Sequence, residues 1–411
     1  MGPIVPLLAI LALFVCTVAA RAQEPPTFLI ESITVEGTSA AAIVIAESRL
    51  TAGESYGEPE LRDAVARIQR LPFAVSTDFR LAKGSAPGRY ILIVSIRQMK
   101  PFFLNAATTT IWSADRRRTP QGPQAGEPYI DQRRTVEVTA GARAFLGAKG
   151  VLNLAANRVE DRNDRFTVAF SQYDIFGTRA SLTAVVSYLE DPGAIRSADP
   201  GARADWHFRD NLTWELIGVV PISRNDSLRG SWQRSERPVR YVEPRPGGGF
   251  RPILRSLPEI RKELFWIHDT TNDPLFPTSG TRLSAGIIRT STPTAGRTEL
   301  GRLKLDEYRA TLEHSWSLTS RQALTLGGSA LDYDRVIDQY RAYSRYSIDL
   351  WGRERTLRSG DLRLELHADR IFTAVRRPPY SARSTAGAAI TWRNVWGVVR
   401  LDASYQGWRE P

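Results

Sequence analysis

Cysteine is almost absent from this chain: Cys16 is the only one in 411 residues. It lies in an apolar run, Ile4 to Val18, broken only by Pro6 and Thr17 and followed by the small-x-small site Ala20-Arg21-Ala22. That pattern predicts a secretory signal over 1–22, although no lysine or arginine precedes the run. Bulky Val15 before Cys16 argues against lipoprotein processing. Removal of the signal leaves no thiol, which excludes disulfides and cysteine metal sites. Long apolar runs are missing as well: nothing after the signal approaches the ~18 residues of a membrane helix, and 24% of the chain is charged. Lysine occurs only at 83, 100, 149, 262 and 304, so the net charge of +11 is nearly all arginine. Nucleic acid is not the expected partner of an exported chain without a binding motif. The four histidines, at 207, 268, 314 and 367, show no metal-ligand spacing. No Gly-x-Ser-x-Gly elbow or phosphate-binding glycine loop occurs. We therefore expect no cofactor, no metal and no catalytic set. His268-Asp269 beside Asp273 resembles an acid–base cluster, but a turn bordering a strand accounts better for those polar residues.

An exported chain without spanning helices is either soluble or a closed barrel, the other structure that satisfies its backbone in lipid. The strand patterns favour the barrel. In 133–145, Val136, Val138, Ala140, Ala142 and Ala144 alternate with Thr135, Glu137, Thr139, Gly141 and Arg143. In 307–318, Tyr308, Ala310, Leu312, His314 and Trp316 alternate with Glu307, Arg309, Thr311, Glu313 and Ser315. In 361–368, Leu362, Leu364 and Leu366 alternate with Asp361, Arg363, Glu365 and His367. One apolar and one charged face, repeated over segments of about ten residues, is the pattern of a membrane barrel with a polar lumen. A soluble sandwich also alternates, but rarely carries Glu and Arg on nearly every second residue over such a length. At roughly 20 residues per strand and connection, 101–411 has room for about 14–16 strands. Outer loops are expected at 113–131, 190–203, 223–258, 290–302 and 334–360. Trp206, Trp214, Trp266, Trp392 and Trp396, near inferred strand ends, suit aromatic girdles. Arg116–Arg118 and Arg133-Arg134 are candidates for lipid phosphate at the outer rim, against a plain solvated-loop reading.

A smaller unit precedes the barrel. Phe28–Gly37 reads as a strand, 40–50 as a short helix, and Pro59 opens a helix carrying Leu61, Ala64, Val65, Ile68 and Leu71 before Pro72 stops it. Val75–Leu81 and Arg89–Ile96 read as strands. This strand–helix–helix–strand–strand order over 24–99 resembles a polypeptide-transport-associated (POTRA) domain, with an unrelated small α+β domain as the alternative. The expected fold is thus mainly β, a transmembrane antiparallel barrel preceded by one small α+β domain.

Residues 269–287 carry the most specific signal. Asp273, Pro274, Pro277, Ser279 and Gly280 suit a tight connection, and the two-faced strand pattern resumes at Thr281. With Asp273, Phe276, Pro277, Thr278 and Gly280, this segment resembles the Asp-x-x-Phe-Pro-Thr-x-Gly turn of the BamA/TamA outer-membrane assembly superfamily. The turn with Asp174, Phe176 and Gly177, and the hairpin over 386–405, are weaker resemblances. Two departures stand out. The Arg-Gly-aromatic tip that family members hold on an inward-folded loop is missing, and the region where it belongs offers Tyr346, Trp351, Gly352 and Arg353. The closing strand with a terminal aromatic is replaced by Gly407-Trp408-Arg409-Glu410-Pro411, soon after the strand at 398–407.

The resemblance implies an outer-membrane protein with its N-terminal domain in the periplasm, in contact with outer-membrane lipid and handling unfolded outer-membrane or secreted polypeptides. Clients would add a strand to the POTRA sheet and pass to the barrel seam. The resemblance also extends to barrels linked to patatin-like lipase domains. A passive pore or structural barrel without a client is the alternative from a different class. The strand at 398–407 is expected to pair with 102–111, to pair with a second chain, or to remain a weak seam. The weak seam is favoured, because Thr108–Thr110 offers little bulk.

Overall fold

The computed structural model describes residues 26–115, 129–159, 164–189, 212–244, 250–295, 300–333, 337–351, 360–375 and 381–409. The N-terminal unit runs β1 (Thr27–Glu36), α1 (Ala41–Ser48), β2 (Ser55–Gly57), α2 (Glu58–Gln69), β3 (Ala74–Lys83) and β4 (Arg89–Gln98). Its sheet order is β2-β1-β4-β3, with β1 and β4 parallel and β3 a free edge. The short β2 is an addition to the expected order; Phe28 and Leu29 pair with Tyr56 and Ser55. Helix α2 begins where Pro59 suits a first turn, and Glu60 accepts the Gly57 amide at 2.9 Å. Ile30, Ile43, Val44, Tyr56, Leu61 and Ile68 are buried between the helices and the sheet.

Fifteen strands then close a barrel. They are β5 (Phe102–Asp115), β6 (Tyr129–Leu146), β7 (Gly150–Val159), β8 (Arg165–Gln172), β9 (Ser181–Leu189), β10 (Leu212–Pro221), β11 (Asp226–Pro244) and β12 (Phe250–Asp269). The rest are β13 (Gly280–Ala295), β14 (Leu300–Ser317), β15 (Gln322–Tyr333), β16 (Ile337–Trp351), β17 (Asp361–Val375), β18 (Ser381–Asn394) and β19 (Gly397–Arg409). The mainly β class and the expected strand number therefore hold. Each strand runs antiparallel to the next. An odd number leaves β5 and β19 pointing the same way, and they close the barrel as a parallel pair, Val399 opposite Ala106 through Gly407 opposite Ala114. No helix among the described residues is long and apolar enough to cross a membrane, which says nothing of strands.

Several expected loops are mostly strand where they are described; 290–302 holds the end of β13 and the start of β14, which pair up to Ala295 opposite Leu300. Over 334–360, β16 alternates Tyr340, Ala342, Tyr346 and Ile348 with Arg341, Tyr343, Arg345 and Asp349, and it pairs along its length with β15 and β17. Over 223–258, β11 and β12 run through Pro238 and Pro258. Above Ser235 and Ile260 these two strands pair only with each other among the described residues. Each then has one open edge, where a proline facing away from its partner sacrifices no ladder bond. The expected signal, Cys16, the 190–203 loop, Trp206, His207 and Arg116–Arg118 lie outside the described residues.

The alternation sorts side chains by face. Leu154, Phe166, Val168, Leu264, Leu326 and Leu401 point outward and are exposed, giving the apolar wall that lipid demands. Trp266, Trp392 and Trp396 stand outward near the N-terminal unit, and Trp214 stands near the far end of β10.

Candidate functional site

The connection from β12 to β13 is built by short polar side chains catching nearby amides. Asp273 Oδ1 accepts the Leu275 and Phe276 amides, each at 2.9 Å. Asn272 Oδ1 accepts those of Thr278 and Ser279 at 2.9 and 3.2 Å. Pro277, without an N–H, asks for no partner. Gly280 closes the turn at φ +104°, and a Cβ there would lie 2.3 Å from the Thr270 carbonyl oxygen. The folded turn presents Asp273 and Phe276 to the ends of β17 and β18, four and five strands further round the barrel. Arg393, at the end of β18, donates to Asp273 at 3.0 and 2.8 Å and to Asp361, at the start of β17, at 3.1 and 2.9 Å. The Phe276 ring lies between two guanidiniums, Arg363 and Arg393, each 4.6 Å from its centre. Burial alone would raise the Asp273 carboxyl, but Arg393 and the two amides outweigh it and hold the group below the usual carboxylate range. All five sequence-named turn residues are thus in one connection. Its partners Arg393, Arg363 and Asp361, some 90–120 residues on, carry no local signal.

The N-terminal unit docks on this same end of the barrel through arginines that the sequence did not single out. Buried Arg67 donates to the Ser48 carbonyl at 2.7 Å, to that of Arg224 at 3.1 Å and to Asn225 Oδ1 at 3.3 Å. Arg49 reaches the Ser223 and Arg224 carbonyls. Arg70 donates to Asp269 Oδ1 at 2.8 Å and to the Thr271 carbonyl at 2.9 Å. Glu60 pairs with Arg224, and Arg97 lies 3.7 Å from Asp361. Phe73 meets Phe145 edge to face at 5.1 Å, and the Lys100 amide donates to the Val395 carbonyl at 2.7 Å. These contacts come from turns around nearly the whole rim, so the unit lies across the mouth. Burial lowers the Arg67 guanidinium to about 10. Burial raises the Glu47 carboxyl, against the opposing fields of Arg49, Arg67 and Arg70.

Between the docked unit and the rim lies a cleft of about 740 Å³. Its walls are α2 at Arg62, Asp63 and Gln69, the free edge strand β3 at Ser76–Phe79, and the β12–β13 connection at Asn272 and Ser279. Thr77 Oγ1 and Arg97 Nε at this cleft are buried without a hydrogen-bond partner. An extended backbone along β3 would meet unpaired ladder positions on one side and polar side chains on the other.

Other named residues fall elsewhere. Asp174 and Phe176 take left-handed backbone (φ 50° and 52°) ahead of Gly177, with Lys149 donating to Asp174 at 2.6 Å. Phe176 is 99% exposed and touches neither the cleft nor the Asp273 connection. The expected inner loop is corrected at Tyr346, which sits on β16 opposite Leu324 and Leu366, on the outward apolar face. Trp351 ends the same strand, while Gly352 and Arg353 lie outside the described residues. The strand period, not a loop, sets where Tyr346 points. His268 and Asp269 separate likewise: His268 Nδ1 lies 3.0 Å from Asp226, whereas Asp269 takes Arg70. Arg134 shares the outward face of Val136 and Val138, and Arg133 the other.

The lumen is lopsided. On β14–β19, Tyr343 donates to Glu313 at 2.7 Å, Arg341 pairs with Asp369 at 3.1 Å, Arg363 with Asp349 at 2.7 Å, and Arg400 with Glu365 and Asp402 at 3.0 Å each. The inward residues of β7–β9 are mostly small and neutral, among them Ala155, Thr167, Ala169 and Thr183, with Arg165 at the start of β8 the one charge on that face among the described residues. His367 Nε2 lies 3.1 Å from Ser404 Oγ, but that hydroxyl donates to Asp402 at 2.7 Å. This orientation directs the serine proton away from the histidine. At the seam, Asn105 Oδ1 accepts the Val398 amide at 2.9 Å, and Gly397 lets β19 start close against the Leu104 carbonyl.

No family model and no curated protein matches the chain. Among solved structures, it is similar to BamA from Haemophilus ducreyi lacking POTRA domains 1–3, at 12% identity over 93% of this chain and 81% of that one, with a TM-score of 0.43. It is similar to CdiB from Escherichia coli at 11% identity, covering 89% of this chain and 70% of that one, with a TM-score of 0.49. CdiB from Acinetobacter baumannii gives 10% identity, 92% and 74% coverage and a TM-score of 0.46. Likenesses of this size carry no weight for activity.

Proposed function

We propose that this chain is an outer-membrane barrel of the BamA/TamA type, whose POTRA-like unit (24–99) takes client polypeptides in extended form and delivers them to the barrel. The outward apolar wall supports the membrane placement. The observation that carries the client reading is the cleft, where the free edge of β3 lies against the rim beside the Asp273 connection. A strand added there forms main-chain bonds without demanding a particular sequence, which suits a handler of many clients. The docked unit spans the mouth, an arrangement that disfavours a permanently open pore. A photo-crosslinking residue placed at Phe79 in the full chain tests the reading. Adducts with unfolded outer-membrane polypeptides, absent when the residue is placed at exposed Phe176, are expected. No client adduct from Phe79, together with steady single-channel conductance, would favour the passive pore.

A further inference from the structure

The outward face is not apolar everywhere. On four adjacent strands, β11 to β14, the cross-strand rows read Trp232–Lys262–Arg289–Asp306 and Arg234–Ile260–Ser291–Lys304. Arg302, two residues beyond Lys304, reaches Ser291 Oγ at 3.5 Å. All five cations are exposed. Two carboxylates share the patch: Asp306 holds Arg289 through bonds of 2.7 and 2.8 Å, and Glu236 holds Arg234 at 3.0 Å. Lys262, Arg302 and Lys304 have no carboxylate partner among the described residues. Elsewhere on the outward face, among the described residues, the cations stand apart: Arg134 on β6, Arg158 on β7 beside Asp164, and Arg370, which lies over Phe372 at 4.6 Å on β17.

The height of this patch matters. Lys262 stands seven residues above Asp269, and Ser291 eleven above Gly280. At about 3.3 Å per residue and a tilt near 40°, the rows lie roughly 18–28 Å above the rim that carries the N-terminal unit. An apolar band is about 25 Å tall, so the cations straddle its outer boundary. Directly below them, Leu264, Trp266, Tyr308 and Leu228 are exposed and apolar or aromatic. A ligand meeting both surfaces needs anionic oxygens above and hydrocarbon below.

We propose that β11–β14 form a binding surface for a phosphorylated membrane lipid, with phosphate on Lys262, Arg302 and Lys304 and acyl chains on Leu264 and Tyr308. Guanidinium and ammonium donors match phosphate oxygens, and a free anion would leave the apolar half of the surface unused. The site rests on the membrane reading above. Counting around the barrel from β5, β12 is the eighth of fifteen strands. The lipid surface therefore lies across the barrel from the β5–β19 seam, where bound lipid holds one wall and leaves the seam uncovered.

The test uses the full chain in phosphatidylcholine nanodiscs doped with diphosphoryl lipid A or with its phosphate-free counterpart, read by native mass spectrometry. We expect about a tenfold preference for the phosphorylated lipid, reduced to under about twofold in Lys262→Gln/Arg302→Gln/Lys304→Gln and kept in Arg134→Gln/Arg370→Gln. Equal retention of both lipids, or a triple variant that retains as much as the parent, overturns the proposal. Competition by millimolar inorganic phosphate at equal effect also overturns it, by assigning the site to the free anion. Failure to enter nanodiscs as a heat-modifiable barrel would instead refute the membrane placement, and the site with it.

Discussion

Replacing Arg393 with leucine removes the cation that joins Asp273, Asp361 and Phe276. The side chain is 6% exposed and that of Asp273 3%, so little solvent screens the pair. Removing one partner of such a pair leaves an uncompensated buried charge and costs about 3–5 kcal/mol. Loss of the guanidinium face against Phe276 adds about 0.5–2 kcal/mol. Asp361 keeps Arg97 nearby, so the stranded group is Asp273. Arg393→Leu should therefore destabilise the barrel by about 3.5–7 kcal/mol. Asp273→Asn, which still accepts the Leu275 and Phe276 amides, should recover at least about 1 kcal/mol when added to Arg393→Leu, because the unpaired charge is gone. Urea unfolding in detergent, followed by tryptophan fluorescence and heat-modifiable gel mobility, measures both. A single variant within about 0.5 kcal/mol of the parent, or a double variant no better than the single, would refute the idea that charge pairing holds this connection.

Gly280→Val places a Cβ against the Thr270 carbonyl at positive φ, and should cost on the order of 1–3 kcal/mol and slow barrel assembly, read by gel mobility. Cysteines at 106 and 399, opposed across the seam, should crosslink readily, whereas 106 with 403 should not, because Ala403 faces Thr110. The raised Glu47 carboxyl contributes stability that is present below its ordinary value and lost as pH rises, so docking of the N-terminal unit should tighten in mild acid. Hydrogen exchange in α1 and α2 should show this, and Glu47→Gln should abolish the pH dependence. Asp273 has the opposite sign: its contribution is present above the ordinary carboxylate value and lost as pH falls through its lowered one. Unfolding of Asp273→Asn should accordingly depend less on acid than that of the parent.

Alternation made the barrel legible, because a period of two follows from the pleat and needs no distant partner. The β12–β13 connection was legible for the same local reason: Asp273, Asn272 and Gly280 act on amides and carbonyls within about ten residues. The docking arginines were not. Arg67 and Arg70 read as ordinary helix-face residues, and their acceptors are main-chain carbonyls 157 and 201 residues away. Main-chain acceptors have no side-chain signature at all. Strand β16 was hidden by its own inward polar set: Arg341, Arg345 and Asp349 look like a solvated loop until Asp369, Glu313 and Arg363 face them. The seam register was half legible, since alternation fixes which residues face outward but not which of several in-phase offsets is used.

The odd strand number also fixes where the chain exits. In an even barrel the first strand's start and the last strand's end share a rim. Here β19 begins beside β5 at Gly397 and runs in the same direction, so Arg409 leaves at the rim opposite the N-terminal unit. With the barrel in a membrane as proposed above, each side receives one end of it. Antibody access to an epitope placed after Arg409 on intact cells reads that arithmetic directly, for it turns on whether fifteen strands, or sixteen, carry the chain across.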